Sequence, residues 1–172
     1  MNNRAVGKRS AFFFLCAIAA MFGGCSAAAR SEGMVPASFE TANAHPAAVR
    51  VKVTGGQESV AVGRPQITNS AFAQTLTGSI TKSRTFAKVI EDKTSSEDYL
   101  LTVTLFSMEK LVFGRTFSLE AGWTLQRVAT GAVVWRESIT SQSTDGDLQR
   151  ATEAAARINI GQALTKISRL SL

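Results

Sequence analysis

Thr116-Phe117-Ser118-Leu119-Glu120-Ala121-Gly122-Trp123-Thr124-Leu125-Gln126-Arg127-Val128 is the most regular stretch of this 172-residue chain. Phe117, Leu119, Ala121, Trp123 and Leu125 fall on one side of an extended backbone. Ser118, Glu120, Thr124 and Gln126 fall on the other. Such period-two alternation marks a strand with one buried and one wet face. Thr130-Gly131 then turns the chain into Ala132 to Ser141, with Val133, Trp135 and Ile139 sharing a side. Upstream, Tyr99 to Met108 alternates in the same way, with Tyr99, Leu101, Val103 and Leu105 inward. Three successive strands with short links predict an antiparallel meander.

Two helices and shorter strands complete the pattern. Val49 to Thr54 alternates strictly and stops at Gly55-Gly56. Phe72, Leu76 and Ile80 recur every four residues, the buried stripe of a helix. Thr68 is placed as its N-cap, with Ile67 and Phe72 as a hydrophobic staple. Gly78 within it predicts close packing against a neighbour. Phe86 to Asp92 reads as a short strand, followed by the charged link Glu91 to Asp98. Thr144 and Asp147 have capping-box spacing at the start of a last helix. Its apolar face runs through Leu148, Ala151, Ala155, Ile158, Leu164, Ile167 and Leu170. Glu153 and Arg157 form an i,i+4 pair there, and Asn159 and Gly161 interrupt it, Gly161 arguing for a tight backbone contact, with the sheet or with a partner. The class expected is α+β, an antiparallel sheet of three to five strands with two helices on one face.

The N-terminal residues carry an address. Arg4, Lys8 and Arg9 precede the unbroken apolar run Ala11 to Phe22, the basic head and apolar body of a secretory signal. Twelve apolar residues fall short of the roughly 20 that a membrane-spanning helix needs. Phe22-Gly23-Gly24-Cys25 resembles the lipobox of bacterial lipoproteins, which are cut before a cysteine that becomes acylated. The resemblance implies a signal over residues 1–24 and a lipid on Cys25. Ser26, in place of the aspartate that retains enterobacterial lipoproteins at the inner membrane, implies the outer membrane. An ordinary secretory cleavage site with Cys25 incidental is the alternative. Residues 25–47 are rich in Ala, Ser, Gly, Pro and Thr, and predict a flexible tether. The domain proper is then 48–172.

Cysteine and charge counts narrow the function. Cys16 leaves with the signal and Cys25 is consumed by lipid, so neither a disulfide nor a thiolate metal site is expected. Three of the 19 basic residues lie in the signal, leaving 16 against 13 acidic ones. The net charge falls from +6 to +3, and nucleic-acid binding loses its support. His45, the single histidine, sits beside Pro46 at the end of the tether and reads as a spacer, not a base or ligand. No nucleophile elbow, phosphate loop or dinucleotide fingerprint occurs. Glu91-Asp92 and Glu97-Asp98 read as a solvated turn, with a carboxylate hydrolase or calcium site as the alternative. Asp145 and Asp147 read as acids at a helix start.

Glu109-Lys110-Leu111-Val112-Phe113-Gly114-Arg115 stands apart, because Leu111, Val112 and Phe113 occupy a link where polar turn residues are expected. It folds back on the sheet, continues a strand, or forms an exposed contact for a partner. Tyr99-Leu100-Leu101-Thr102-Val103, Thr130-Gly131-Ala132-Val133-Val134-Trp135 and Ala154 to Ile160 resemble segments of small envelope accessory lipoproteins, such as activators of penicillin-binding proteins, curli-secretion lipoproteins and transport auxiliaries. That resemblance implies a non-catalytic protein; with the residue inventory, no cofactor or metal is expected, and the lipobox with Ser26 implies an anchor in the outer membrane, facing the periplasm. The resemblance also implies an envelope protein as partner. A carrier for lipid or another hydrophobic ligand, its cavity lined by Phe117, Trp123 and Trp135, is the second expectation.

Overall fold

The alternating stretches become the strands of one sheet, and the two periodic stretches lie across it as helices. The computed structural model describes residues 28–57, 66–92, 94–111 and 116–172. In chain order these form α1 (Ser31–Met34), β1 (His45–Thr54), α2 (Asn69–Ser83), β2 (Phe86–Ile90), β3 (Tyr99–Lys110), β4 (Thr116–Arg127), β5 (Val133–Thr144) and α3 (Leu148–Ile167). The strand order is β2-β1-β3-β4-β5. The α+β class and the helices against the sheet are as the sequence suggests.

The sheet is mixed, not wholly antiparallel. β3, β4 and β5 form the expected meander, with Val103 opposite Trp123 and Ala121 opposite Ile139. β1, however, runs parallel to both β2 and β3. Parallel neighbours need a crossover, and α2 supplies the one from β1 to β2. The second is only the short charged link from β2 to β3. It suffices because β2 ends opposite Arg50 while β3 begins opposite Val49, so the chain need only step across β1. At the other end of β1, Gly55 has φ +82°, and a Cβ there would collide with the Leu105 backbone. Only glycine meets both demands.

The core lies between the helices and one sheet face. Phe72, Leu76 and Ile80 of α2 are fully buried, as are Leu101, Phe117, Leu119, Trp123 and Leu125. Phe72 and Trp123 pack with tilted rings, centroids 6.1 Å apart. Thr68 caps α2 as expected, accepting from the Ala71 N–H at 3.1 Å. On α3 the cap is Asp147, which accepts from Gln149 and Arg150 N–H groups. Thr144 instead ends β5, its hydroxyl against that of Thr116. Small side chains at Ala151, Ala155 and Ala163 let α3 lie close on the sheet. Its buried stripe takes Ile160, and Ile158, expected inside, is exposed.

The stretch expected to be a tether is, from Ala29 onward, a strap lying against the domain. The two helices barely touch one another, and α1 packs against both of them. Met34 is fully buried and fills the space between. The Arg30 backbone N–H donates to Glu153 Oε1 at 3.0 Å, and Arg157 donates to the Gly33 carbonyl. Glu153 and Arg157 thus hold the strap and are not paired with each other. Further along, Lys82 Nζ donates to the Pro36 carbonyl, and Ala42 and Asn43 N–H groups donate to Ser168. β1 begins at His45, which is buried, has Nε2 3.0 Å from the Ile167 carbonyl and packs on the Phe86 ring at 5.3 Å. The histidine read as a spacer is a structural joint. Among the described residues, no helix is long and apolar enough to cross a membrane.

Candidate docking surfaces

The alternation that buries one sheet face leaves the other without a covering layer. Arg50 and Lys52 of β1, Leu100, Thr102 and Thr104 of β3, Ser118, Glu120, Thr124 and Gln126 of β4, and Arg136, Ser138 and Thr140 of β5 pair across it. Hydroxyls dominate. Thr54 and Thr104 hydroxyls lie 3.3 Å apart, and Ser138 Oγ donates to Glu120 Oε1 at 2.9 Å.

One aromatic residue breaks this polar surface. Pairing skips from Leu105–Ala121 to Ser107–Glu120, so Phe106 occupies a β-bulge. Its side chain is 62% exposed, the most of any large apolar residue among those described. The ring lies over Gly122, where an added Cβ would come within 2.5 Å of Phe106 Cε2. Glycine at 122 is what lets the ring lie on the sheet. Thr104, Thr124, Arg136 and Ser138 surround this shallow depression. Sequence reasoning missed Phe106, although two signals were present. It falls out of phase with Tyr99, Leu101, Val103 and Leu105, and Gly122 interrupts the polar side of β4.

Of the residues expected to contact a partner, Leu111 directly follows β3 and is 40% exposed. Its N–H donates to the Thr116 carbonyl at 3.0 Å, closing the β3–β4 ladder. Val112 and Phe113, and the lipidation candidate Cys25, lie outside the described residues.

Of the carboxylates proposed as alternatives for chemistry, Asp92, Glu97, Asp98, Asp145 and Asp147 are engaged locally, and Glu91 is exposed. Arg50 donates to the Asp92 and Ser95 carbonyls and to Glu97 Oε2 at 2.9 Å, pinning the β2–β3 link across β1. The hydrogen bond to Glu97 raises the Arg50 pKa, and its counterpart lowers that of Glu97. Asp92 accepts the Ser95 N–H and hydroxyl, then the Thr94 hydroxyl and N–H, and these hold its pKa at about 2. Asp98 Oδ2 accepts the Ala48 N–H at 2.7 Å. At the other candidate dyad, the Asp147 N–H and the Arg150 guanidinium keep Asp145 below the usual carboxylate range. Among the described residues, no three of His, Cys, Asp and Glu converge as a metal site. The region between sheet and helices is occupied by the protein's own side chains. Trp123 and Phe117 are fully buried in it, and the Trp123 N–H donates to Asn159 Oδ1 at 3.0 Å.

No protein-family model and no curated protein matches the sequence. Solved structures do share the fold. A Xanthomonas campestris protein, XCC0632, described with the family model DUF330, superposes with a TM-score of 0.53 at 16% identity, over 73% of this chain and 83% of that one. The hypothetical protein CT253 from Chlamydia trachomatis superposes with a TM-score of 0.54 at 8% identity, covering 71% and 98%. PelC from Paraburkholderia phytofirmans, a dodecamer, superposes with a TM-score of 0.52 at 14% identity, covering 77% and 95%. At these identities the likeness is one of fold.

Proposed function

We propose that this chain is a non-catalytic bacterial lipoprotein, anchored in the outer membrane by acyl chains on Cys25. In this reading its periplasmic domain binds a protein partner of an envelope assembly or transport machine through the open sheet face around Phe106. The observation that carries the docking reading is Phe106 itself, an exposed aromatic on an uncovered face with a glycine beneath it. Aromatic anchors ringed by polar residues are the usual energetic centre of a protein interface. The basic run, the apolar run and Gly23-Gly24-Cys25 support the anchor. Hydrogen-bonded or ion-paired carboxylates and a filled core favour docking over hydrolysis or lipid carriage.

The test compares the acylated protein with a Phe106→Asp variant, both affinity-purified from detergent-solubilised membranes. The expected result is a partner retained by the parent and lost by the variant, with an unchanged melting temperature. A partner retained equally by both would overturn the docking face. Native mass spectrometry of the same samples reads whether the partner is a second copy of this chain, as the PelC dodecamer suggests. The mass of the N-terminal peptide reads the acylation of Cys25 separately.

A further inference from the structure

The strap fixes where the anchor enters the domain. Ser141 Oγ donates to the Ala155 carbonyl at 2.8 Å, which sets Ala155 level with Ser141 of β5. Through the strand register the same level passes to Leu119 of β4 and Met108 of β3. Glu153 lies two residues nearer the start of α3, toward the end where β3 finishes at Lys110 and β5 at Thr144. The Arg30 N–H is bound to Glu153, and the Ala29 N–H to the Gln66 carbonyl, just before α2. The strap leaves at the opposite end, where Ala42 and Asn43 reach Ser168.

Chain length does the rest. Four residue steps separate Cys25 from the buried Ala29, and at full extension they span about 14 Å. The 20-residue α3 is about 30 Å long. An acyl group on Cys25 therefore cannot reach a membrane lying at the far end of the domain.

We infer that the domain stands end-on upon the lipid surface, with the Lys110–Leu111 and α3 N-terminal end against the bilayer. The inference rests on the acylated Cys25 of the function proposed above. Leu111, expected to meet a protein, then faces lipid. The open sheet face around Phe106 is turned sideways, toward neighbours in the plane of the membrane. The described charges at this end nearly balance: Arg30, Lys110 and Arg150 stand beside Glu32, Glu109, Asp145 and Asp147. The leash, and not attraction to anionic headgroups, sets the orientation.

The experiment uses full-length acylated protein in phosphatidylethanolamine vesicles, with and without phosphatidylglycerol, carrying a rhodamine acceptor on the headgroups. A donor dye is placed on Glu109→Cys at the anchored end or on Ala129→Cys in the far turn. Energy transfer is expected to be several-fold stronger from position 109 and the same with either lipid mixture. A 20-residue Gly-Ser insertion between Ala27 and Ala28 is expected to abolish the difference, because such a linker reaches about 25 Å. Equal transfer from both positions, or stronger transfer from 129, would overturn the orientation in protein that sediments with vesicles. A native N-terminal peptide without acyl mass, or a Cys25→Ser variant that still sediments, would instead overturn the anchor itself and the leash with it.

Discussion

Asn159 is fully buried, yet every polar atom of its side chain is used. Its Oδ1 accepts from Trp123 Nε1, and its Nδ2 donates to the Ile139 carbonyl at 2.8 Å and to Ser141 Oγ at 3.2 Å. One amide thereby joins α3 to both β4 and β5. Asn159→Leu keeps the branched shape but strands the indole N–H, and should lower stability by about 2 kcal/mol or more in urea unfolding. Asp92 acts at the surface. Folding lowers its pKa to about 2 from 3.8, so what it adds to stability is complete above about pH 4 and fades as pH falls toward 2. Melting temperatures of the parent and Asp92→Asn should differ at pH 6 and converge near pH 2. Asn159 stood out in the sequence as a polar residue on a helix face. Its partners did not, because they depend on a strand order that no local pattern encodes.

At the level of elements, the helix glycines reverse what the sequence suggests. A Cβ at Gly78 would meet nothing within 4 Å, and one at Gly161 would meet only Pro36 Cγ at 3.9 Å. Neither marks a tight contact. Gly161→Ala should raise stability by about 0.5–1 kcal/mol, read by thermal or urea unfolding. The strap carries the opposite expectation. Met34 fills the gap between α2 and α3, and a Cβ at Gly33 would overlap the Glu153 carboxylate. Met34→Ala should cost about 3 kcal/mol, and proteolysis within residues 35–44 should accelerate with it. The meander was legible because each strand repeats its period several times. The strap was not, because Met34 and Phe39 each act once, among alanines and serines without a period. The parallel pairing of β1 escaped for a related reason. Neighbouring strands in sequence suggest hairpins, whereas the chain steps over β1, and the Arg50 contacts to the charged link hold that step in place.

Over the whole molecule, the first described segment is fastened to the last helix. Arg30 meets Glu153 across 123 residues, Gly33 meets Arg157 across 124, and Ala42 meets Ser168 across 126. A chain truncated after Ile160 keeps β1 to β5 but loses the Ser168 contacts and the carbonyl that receives His45. Limited proteolysis should cut its strap near Ala42 and Asn43 much faster than in the parent, which stays protected there.

Closure across such separations also imposes a timetable. A chain delivered N-terminus first presents residues 29–44 long before the helix that receives them. Until α3 arrives, Arg30, Gly33 and Ala42 have no partners to dock on. Once α3 seats, residues 29–43 are drawn against the folded body. Docking of the strap and completion of the fold are thereby one event, with the last helix acting as the latch.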